Sequence, residues 1–236
     1  MKSTCLAEIS AIIPSAGQGK RMGGQGNKLF LKLAGTPILL LTLDIFQHCS
    51  YIKEIIIPAS GQDIPLIRRM VEENGLSKVS AIIEGGKERQ DSVCKALQAL
   101  GPEAAKIVIH DGARPLLTLS DLEYFIENTR SLDAAIMAVP VKDTIKRIDG
   151  EGWVAETPVR ESLRLIQTPQ LFDRILLEKV HILASRQGYY TTDDAALMEW
   201  QGYRVKIIEG YYDNIKVTTP EDILLAEAIL QRRKGV

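Results

Sequence analysis

The sequence predicts an α/β fold with three layers, α/β/α, in which helices cover both faces of a mostly parallel sheet. Apolar, strand-like runs alternate along the chain with helix-like segments, as they do in such folds. Several runs are continuous in Ile and Val, for example Ile55–Ile57, which is typical of central strands buried on both faces. The first run leads directly into a glycine-rich loop, and open α/β sheets bind ligands at the carboxyl ends of their strands.

Length and composition indicate the size of the core, the kinds of partner and the cellular compartment. The chain has 236 residues, 45% hydrophobic and 25% charged, so it can bury one sizeable core, and we predict one domain over residues 1–236. A net charge of −1 favours neither nucleic acid nor an acidic membrane as a partner. Cys5, Cys49 and Cys94 match no metal-ligand spacing, which favours free thiols. With no signal-peptide pattern and no apolar stretch of membrane-spanning length, we expect a cytoplasmic protein.

The predicted strands are short runs of β-branched and other apolar residues. The first ends in the glycine loop, and the third ends in a glycine pair, Gly85-Gly86. In chain order they are Ile9–Pro14, Glu54–Pro58, Val79–Ile83, Lys106–His110, Ala134–Val139, Leu163–Ile166, Arg204–Ile208 and Asp213–Thr218. Alternation with helices makes the predicted sheet Rossmann-like and mostly parallel.

The predicted helices show apolar residues at helical spacing or recognisable ends. Glu88–Leu100 is the clearest, because apolar residues recur at i, i+4 and i+7 from Val93 and a Gly-Pro pair follows. The last helix begins at Thr219 as N-cap with Pro220 at its first position. The predicted helices are Pro37–His48, Ile64–Asn74, Glu88–Leu100, Thr118–Arg130, one marked by Leu176, Val180 and Leu183, and one from Thr219 to about Arg232.

One segment departs from this alternation. Between residues 141 and 162, charged residues alternate with β-formers such as Thr144 and Ile148 around the turn sequence Asp149-Gly150-Glu151-Gly152. This pattern is typical of a β-hairpin. We predict a β-arm that projects from the domain at about residues 141–162.

The loop Ser15–Lys28 is the first candidate binding element. Glycines at positions 17, 19, 23, 24 and 26 let the backbone approach a ligand and point N–H groups at an anion. Lys20, Arg21 and Lys28 add positive charge where a polyphosphate would lie. The pattern therefore predicts a triphosphate site, and a surface loop with solvated lysines is the simpler alternative.

Two common glycine motifs do not fit this loop. The dinucleotide fingerprint G-x-G-x-x-G requires glycine where Met22 stands. The Walker pattern requires glycine at Pro14 and Ser or Thr at Arg21. The loop is therefore neither a typical nicotinamide site nor a P-loop.

The segment Pro14–Gly23, followed by Asn27-Lys28, resembles the signature loop of the nucleotidyltransferases that make activated sugars and polyols. Within that group the chain resembles the 2-C-methyl-D-erythritol 4-phosphate cytidylyltransferase family of the non-mevalonate isoprenoid pathway, from Ile12 to about Asp222. The resemblance implies an enzyme that condenses CTP with 2-C-methyl-D-erythritol 4-phosphate to give 4-diphosphocytidyl-2-C-methyl-D-erythritol and pyrophosphate.

The resemblance also implies which residues hold CTP. Arg21, Lys28 and Lys216 are the implied catalytic residues: Arg21 and Mg²⁺ would hold the β- and γ-phosphates, and the two lysines would flank the α-phosphate. The implied CTP-binding residues are Pro14, Ser15, Ala16, Gly17, Gly19, Lys20, Gly85, Gly86, Ser92 and Gly112. An ordinary helix cap around residues 85–93 and a surface role for Lys216 are the structural alternatives.

The implied acceptor site draws on separate parts of the chain. Its residues are Asp111, Arg114, Thr144, Arg160, Thr168 and Thr192, with Asp111 also near the metal. Thr144 and Arg160, in the arm, would act across the interface of a homodimer. The structural alternatives are an ion pair between Asp111 and Arg114, a turn ended by proline at Thr168, and an N-cap at Thr192.

Other functions stay open on the sequence alone. A ribitol 5-phosphate cytidylyltransferase shares the glycine loop, the Asp-x-x-Arg-Pro element and the Thr-Pro-Gln element. A nicotinamide-dependent reductase is disfavoured by Met22 in the third glycine position. A nucleotide-binding module without activity is disfavoured because Lys28 and Lys216 are both present.

Overall fold

The computed structural model describes residues 8–17 and 27–235. Its centre is a seven-stranded sheet with the strand order β11-β7-β10-β6-β1-β4-β5. Those strands are β1 (Glu8–Ile12), β4 (Ile52–Ala59), β5 (Val79–Glu84), β6 (Ala104–Ile109), β7 (Ala134–Pro140), β10 (Arg164–Asp173) and β11 (Lys206–Glu209). Two small two-stranded sheets pair β2 (Lys32–Leu33) with β3 (Thr36–Pro37) and β8 (Arg147–Ile148) with β9 (Val154–Glu156).

Helices cover both faces of the large sheet. They are α1 (Ile38–His48), α2 (Ile64–Glu73), α3 (Arg89–Gln98), α4 (Leu119–Thr129), α5 (Arg174–Gln187), α6 (Asp194–Trp200) and α7 (Pro220–Arg233). One core contains buried residues of α1, α2, α4 and α7, and a second core contains buried residues of α3, α5 and α6. The prediction of a three-layer sandwich is confirmed.

The central strands read as continuous apolar runs because both of their faces are buried. Ile55 and Ile57 pack into the core that contains α1, whereas Ile56 between them packs into the core that contains α3. Successive side chains of a strand point to opposite faces, so a strand between two helix layers needs an apolar residue at every position.

Within this sheet only β10 runs against its neighbours. It pairs antiparallel with both β6 and β7, while every other pair of strands in the sheet is parallel. The prediction of a mostly parallel sheet is therefore confirmed. The segment Gln167–Gln170 lies inside β10, where the register against β7 shifts between Ile166 and Gln170 and the Thr168–Pro169 peptide bond is cis.

The predicted strand Asp213–Thr218 is wrong, since the segment pairs with no strand of the sheet. Its backbone hydrogen bonds go to loops, with the Val217 N–H donating to the carbonyl of Ala113 at 2.8 Å. The Asn214 side chain donates to the carbonyl of Thr168 at 2.8 Å. The apolar pattern reflects the burial of Val217, which does not require a strand.

The arm, residues 141–162, contains the predicted hairpin in shortened form. Strands β8 and β9 pair antiparallel, and Asp149 closes the turn by accepting from the N–H groups of Glu151 and Trp153. The rest of the arm is irregular apart from a 3-10 helix at Arg160–Ser162. Among the described residues, no helix is long and apolar enough to cross a membrane.

Candidate functional site

Two cavities open beside one another on the sheet. The first, of about 320 Å³, lies where the chain leaves β1, β5 and β6. It is lined by Pro14, Ser15, Ala16, Gly17, Lys28, Leu29, Gly86, Lys87, Glu88, Arg89, Ser92, Asp111, Ala113, Lys216 and Thr218. The carboxyl ends of strands are where open α/β sheets place ligands, so the cavity lies where the sequence predicts it.

The segment after β1 crosses closely over the segment after β5. Ser15 donates its N–H to the carbonyl of Pro58 at 2.8 Å, which holds the chain beside β4. A Cβ on Gly85 would lie 2.9 Å from the Cβ of Ala16 and 2.8 Å from the Oγ of Ser92. Glycine is required there because the side chains of Ala16 and Ser92 leave no room for a Cβ.

Ser92 fixes the glycine pair against the start of α3. Its hydroxyl accepts from the N–H of Gly86 at 3.0 Å and donates to the carbonyl of Glu88 at 3.1 Å. The Asp91 carboxylate accepts from the N–H of Glu88 at 3.0 Å, as in a capping box. The helix cap proposed as the structural alternative is therefore present, and Gly86 and Ser92 also line the cavity.

The two predicted lysines converge on the first cavity. Lys28 Nζ donates to the carbonyl of Val217 at 2.7 Å, next to Lys216 in the chain. Asn27 holds this end of the loop, because its amide donates to the carbonyl of Ser15 at 3.2 Å and its oxygen accepts from the N–H of Leu29 at 3.1 Å. Lys28 and Val217, which are 189 positions apart in the chain, therefore meet at one wall of the first cavity.

The second cavity, of about 470 Å³, lies on the other side of that wall. It is lined by Arg89, Asp111, Arg114, Ile136, Ile166, Gln167, Thr168, Gln170, Thr192, Asp193, Ala195, Ala196, Glu199, Val205, Ile207 and Lys216. Arg89, Asp111 and Lys216 line both cavities and form the wall between them, which we call the shared wall.

Asp111 occupies the centre of the shared wall. Its Oδ1 lies 3.2 Å from Arg89 Nε, and its Oδ2 lies 2.7 Å from Lys216 Nζ. Burial by itself would raise the pKa of Asp111, but the charges of Arg89 and Lys216 hold that pKa far below its usual range. Asp111 is therefore a carboxylate at any pH at which the protein works.

Arg89 was missed by the sequence reasoning. It occupies the first position of α3, where the positive end of the helix dipole disfavours a cation. An arginine there requires carboxylate partners, and it has two, Asp111 and Asp194. That unfavourable position at a helix start is the signal that could have identified it.

Arg114 lines the second cavity without pairing with Asp111. Its Nη1 donates to the carbonyl of Asn214 at 2.7 Å, and its Nη2 donates to the carbonyl of Ile166 at 3.3 Å. The predicted alternative of an ion pair between Asp111 and Arg114 is wrong, since the partners of Asp111 are Arg89 and Lys216. Burial lowers the pKa of Arg114 from its ordinary value.

Thr168 lines the second cavity, but its hydroxyl proton points away from the cavity, toward the ring of His110. Burial lowers the pKa of His110 to about 4, so the ring is neutral at pH 7. His110 Nε2 donates to the carbonyl of Arg114 at 3.1 Å, which makes Nδ1 the acceptor for the Thr168 hydroxyl at 3.1 Å. The Thr168 oxygen also accepts from the N–H of Asp111 at 3.0 Å. In this state Thr168 orients Asp111 and has no proton left to donate to a phosphate.

Thr192 lies at the rim of the second cavity and is not the N-cap of α6. The N-cap is Asp193, whose carboxylate accepts from the N–H of Ala196 at 3.0 Å. Gln90 ties this loop to α3, because its amide donates to the carbonyl of Tyr189 at 2.9 Å and its oxygen accepts from the N–H of Thr191 at 3.1 Å. The start of α3 therefore holds elements of both cavities.

Several predicted residues lie behind or outside the cavities. Gly85 and Gly112 are packed behind the lining, where the Gly112 N–H donates to the carbonyl of Pro14 at 3.3 Å. Thr144 and Arg160 line neither cavity, and Arg160 donates to the carbonyl of Lys142 at 3.2 Å within the arm. The predicted residues Gly19, Lys20 and Arg21 lie outside the described residues.

Among the described residues that line the first cavity, the carboxylates available to a metal ion are those of Glu88 and Asp111. Over residues 8–17 and 27–235, no three His, Cys, Asp or Glu side chains are grouped as metal ligands. Asp111 faces both cavities, and a carboxylate has about four acceptor positions, of which two are used by Arg89 and Lys216. The donor set fits a cation that takes most of its ligands from a bound triphosphate.

Comparisons with known proteins agree on one family. Residues 9–232 match the sequence profile of the IspD family, 2-C-methyl-D-erythritol 4-phosphate cytidylyltransferase. Two relatives carry the same name: the protein of Halalkalibacterium halodurans is 45% identical over 96% of this chain and 99% of its own, and that of Pelotomaculum thermopropionicum is 42% identical over 98% and 97%.

Solved structures agree with the sequence comparisons. A 4-diphosphocytidyl-2C-methyl-D-erythritol synthase from Anaerococcus prevotii superposes with a TM-score of 0.84 at 34% identity, covering 94% of this chain and 96% of that one. The 2-C-methyl-D-erythritol 4-phosphate cytidylyltransferase of Thermus thermophilus superposes with a TM-score of 0.78 at 33% identity, covering 95% and 99%.

Proposed function

The chain belongs to the 2-C-methyl-D-erythritol 4-phosphate cytidylyltransferase family, and from this we propose how its two cavities divide the reaction. The enzyme joins CTP to 2-C-methyl-D-erythritol 4-phosphate, releasing pyrophosphate and 4-diphosphocytidyl-2-C-methyl-D-erythritol. CTP occupies the first cavity, and the acceptor phosphate enters from the second. The observation that carries this division is the shared wall, which presents Lys216 to both cavities.

In this proposal the first cavity holds CTP by backbone and small side chains. The segment Pro14–Gly17 and Gly86 bring backbone close to the nucleotide. Ser92 holds Gly86 by accepting from its N–H, and Gly85 supports the lining from behind. Lys28 and Lys216 enter the same cavity from two segments, so the α-phosphate lies between them. The resemblance assigns Gly19, Lys20 and Arg21 to the β- and γ-phosphates, and Gly112 packs against Pro14 behind the lining.

The transfer forms one P–O bond and breaks another. A phosphate oxygen of the acceptor attacks the α-phosphorus of CTP, and the oxygen that bridges to the β-phosphate leaves with pyrophosphate. Such a reaction needs alignment and neutralisation of charge more than it needs a protein nucleophile. Lys28 and Lys216 neutralise the charge that builds on the α-phosphate, and Asp111 holds Lys216 in position before CTP arrives.

We include Mg²⁺ in the proposal as the partner of the triphosphate. The ion supplies charge neutralisation at the phosphate oxygens. Asp111 would hold the ion from the shared wall, and Glu88 is the other carboxylate that lines the first cavity.

The acceptor half of the proposal uses the second cavity and a second subunit. Arg114 and Thr192 line the cavity, and Thr168 orients Asp111 from the same side. The resemblance assigns Thr144 and Arg160 to the acceptor phosphate of the neighbouring subunit, and their position outside both cavities of their own subunit agrees with this role. The proposed assembly is a homodimer in which the arms are exchanged.

The surface of the arm supports this assembly. Trp153 and Val159 expose 71% and 68% of their surface, and Ile148 and Val154 beside them are also mostly exposed. Large apolar groups gathered on one projecting element mark a surface that another protein covers. A second copy of the chain is the occupant that also completes the acceptor site.

The proposed location is the cytoplasm. Cys49 and Cys94 are free thiols in the structure, as expected in a reducing compartment. Cell fractionation would test this, and recovery of the protein in the periplasmic or membrane fraction would contradict it.

The function is tested by measuring pyrophosphate release from CTP with each acceptor supplied separately. We expect rapid release with 2-C-methyl-D-erythritol 4-phosphate and little with ribitol 5-phosphate. Substituting ATP, GTP or UTP for CTP tests the nucleotide half. Faster release with ribitol 5-phosphate, or no release with any pair, would overturn the assignment.

A further inference from the structure

A series of ion pairs continues from the shared wall into the interior. Arg89 Nη1 lies 2.6 Å from Asp194 Oδ2, in addition to the bond from Arg89 Nε to Asp111. The other oxygen of Asp194, Oδ1, lies 3.0 Å from His181 Nε2. The order from cavity to interior is Lys216, Asp111, Arg89, Asp194, His181, which we call the charge relay.

Each carboxylate in the charge relay bridges two nitrogen groups with different oxygens. Asp111 uses Oδ1 for Arg89 and Oδ2 for Lys216, and Asp194 uses Oδ2 for Arg89 and Oδ1 for His181. The five residues come from α5, the start of α6, the start of α3, the loop after β6 and the segment before α7. Neither carboxylate can rotate without breaking a bond to one of its partners.

The inner end of the charge relay is its most buried part. The side chain of Lys216 is 40% exposed, whereas those of Asp194 and His181 are each 1% exposed. A buried carboxylate is tolerated only with well-placed partners, and the loss of one partner is costly. Although burial itself lowers the pKa of His181, its neighbours Asp194 and Cys94 raise it to about 9, consistent with a cationic inner end of the relay.

We propose that His181 is a positioning residue for the transfer reaction, which acts through Asp194, Arg89 and Asp111 to hold Lys216 at the shared wall. His181 touches neither cavity, so it has no direct part in binding CTP or the acceptor. It determines the orientation of Asp194, which in turn determines where the Arg89 guanidinium presents Nε to Asp111. The proposal rests on the proposed function, since Lys216 matters only if the α-phosphate lies beside it.

A purely structural role for His181 predicts a different result. If the histidine only satisfies a buried carboxylate, its loss lowers stability and leaves the turnover of the folded enzyme unchanged. If the relay positions Lys216, its loss lowers kcat, because the charge that Lys216 neutralises develops in the transition state. KM for CTP is expected to change little, since most CTP contacts lie elsewhere in the first cavity.

The experiment compares three variants of the full-length enzyme. His181→Leu removes the donor to Asp194, while His181→Gln places an amide N–H near the position of Nε2. Glu178→Gln is the matched control, because Glu178 lies on the same helix, pairs with Arg174 at 2.7 Å and belongs to neither cavity. For each variant, kcat, both KM values and the thermal midpoint are measured with CTP and 2-C-methyl-D-erythritol 4-phosphate.

We expect His181→Leu to lower kcat by about 10- to 100-fold, the loss typical when a residue that orients a functional group is removed. His181→Gln is expected to recover most of that loss, and Glu178→Gln to match the wild type. Unchanged kcat in His181→Leu, or equal losses in the Leu and Gln variants, would overturn the relay. If His181→Leu does not fold, Asp194→Asn takes its place, and a wild-type kcat there also overturns the relay.

Failure of the relay and failure of the proposed function give different results. A wild-type enzyme that releases no pyrophosphate contradicts the proposed function. An active wild type with equally active His181 and Asp194 variants contradicts the relay alone.

Discussion

Lys216 Nζ and Asp111 Oδ2 lie 2.7 Å apart on the wall that separates the two cavities. The pair places a cation at the boundary between the two cavities. Preorganised charge of this kind is worth more than charge that must be ordered during the reaction, because no reorganisation is needed in the transition state.

Replacing Lys216 by methionine keeps most of the side-chain volume and removes its charge. We expect kcat to fall by about 10²–10³-fold, because the α-phosphate loses one of its two cations. Steady-state kinetics measure the effect. Lys234→Met, at the exposed end of α7, is the control and is expected to match the wild type. Equal activity of the two variants would contradict the role of Lys216.

Lys28→Ala tests the other side of the α-phosphate. We expect a loss of at least about 10²-fold in turnover with normal folding, because a cation that stabilises the transition state is removed. Circular dichroism and thermal unfolding check the fold, and pyrophosphate release checks turnover. Near-normal turnover in a folded Lys28→Ala enzyme would rule out the catalytic role.

Arg89→Lys tests whether the shared wall needs a guanidinium or only a positive charge. A lysine carries one nitrogen and cannot present Nε to Asp111 and Nη1 to Asp194 in the same geometry. We expect a loss in kcat of about 10-fold or more even though the charge is kept. The matched comparison is Arg69→Lys, which alters an exposed pair with Glu73 on α2. A wild-type kcat in Arg89→Lys would show that charge alone suffices.

Mixing two inactive variants tests whether the arm acts on the neighbouring subunit. Lys28→Ala damages the first cavity of its own subunit, and Arg160→Ala damages the site that its arm completes. A dimer with one subunit of each kind has one intact site, so random mixing is expected to restore about a quarter of wild-type activity. No recovery after exchange of subunits, or a fully active monomer in sedimentation, would contradict the exchanged arm.

Two buried histidines predict opposite effects of pH on stability. Burial lowers the pKa of His110 to about 4, so the unfolded chain binds a proton that the folded one does not, and stability falls from pH 6.5 toward 4. For His181, burial lowers the pKa but Asp194 and Cys94 beside it raise it to about 9. Its contribution is complete below pH 6.5 and is lost as pH rises toward 9.

Thermal unfolding between pH 4 and 9 measures both effects. With respect to these two groups, we expect the wild type to be most stable near pH 6.5. His110→Gln is expected to flatten the acid side of the profile, and His181→Gln the alkaline side. Profiles that keep the same slopes in both variants would show that other groups control the pH dependence.

Local patterns were sufficient to predict most of the elements. The N-cap at Thr219, the glycine pair after β5 and the i, i+4, i+7 repeat from Val93 depend on neighbours within a few residues. The continuous apolar runs also showed that the strands are covered on both faces, since each position must face one helix layer or the other. Lys28 and Lys216 were assigned to one site by resemblance, and the structure brings them together.

Pairings between distant residues could not be predicted from those patterns. The reversed direction of β10, the loop at residues 213–218 and the charge relay each depend on which segments meet, and Arg89 and Asp194 are 105 residues apart in the chain. A charge looks the same in sequence whether it is solvated or paired in the interior. Burial makes the partners of Arg89 obligatory, and burial exists only after the helices have packed on the sheet. The glycine loop and its lysines were therefore visible in the sequence, while the shared wall between the two cavities was not.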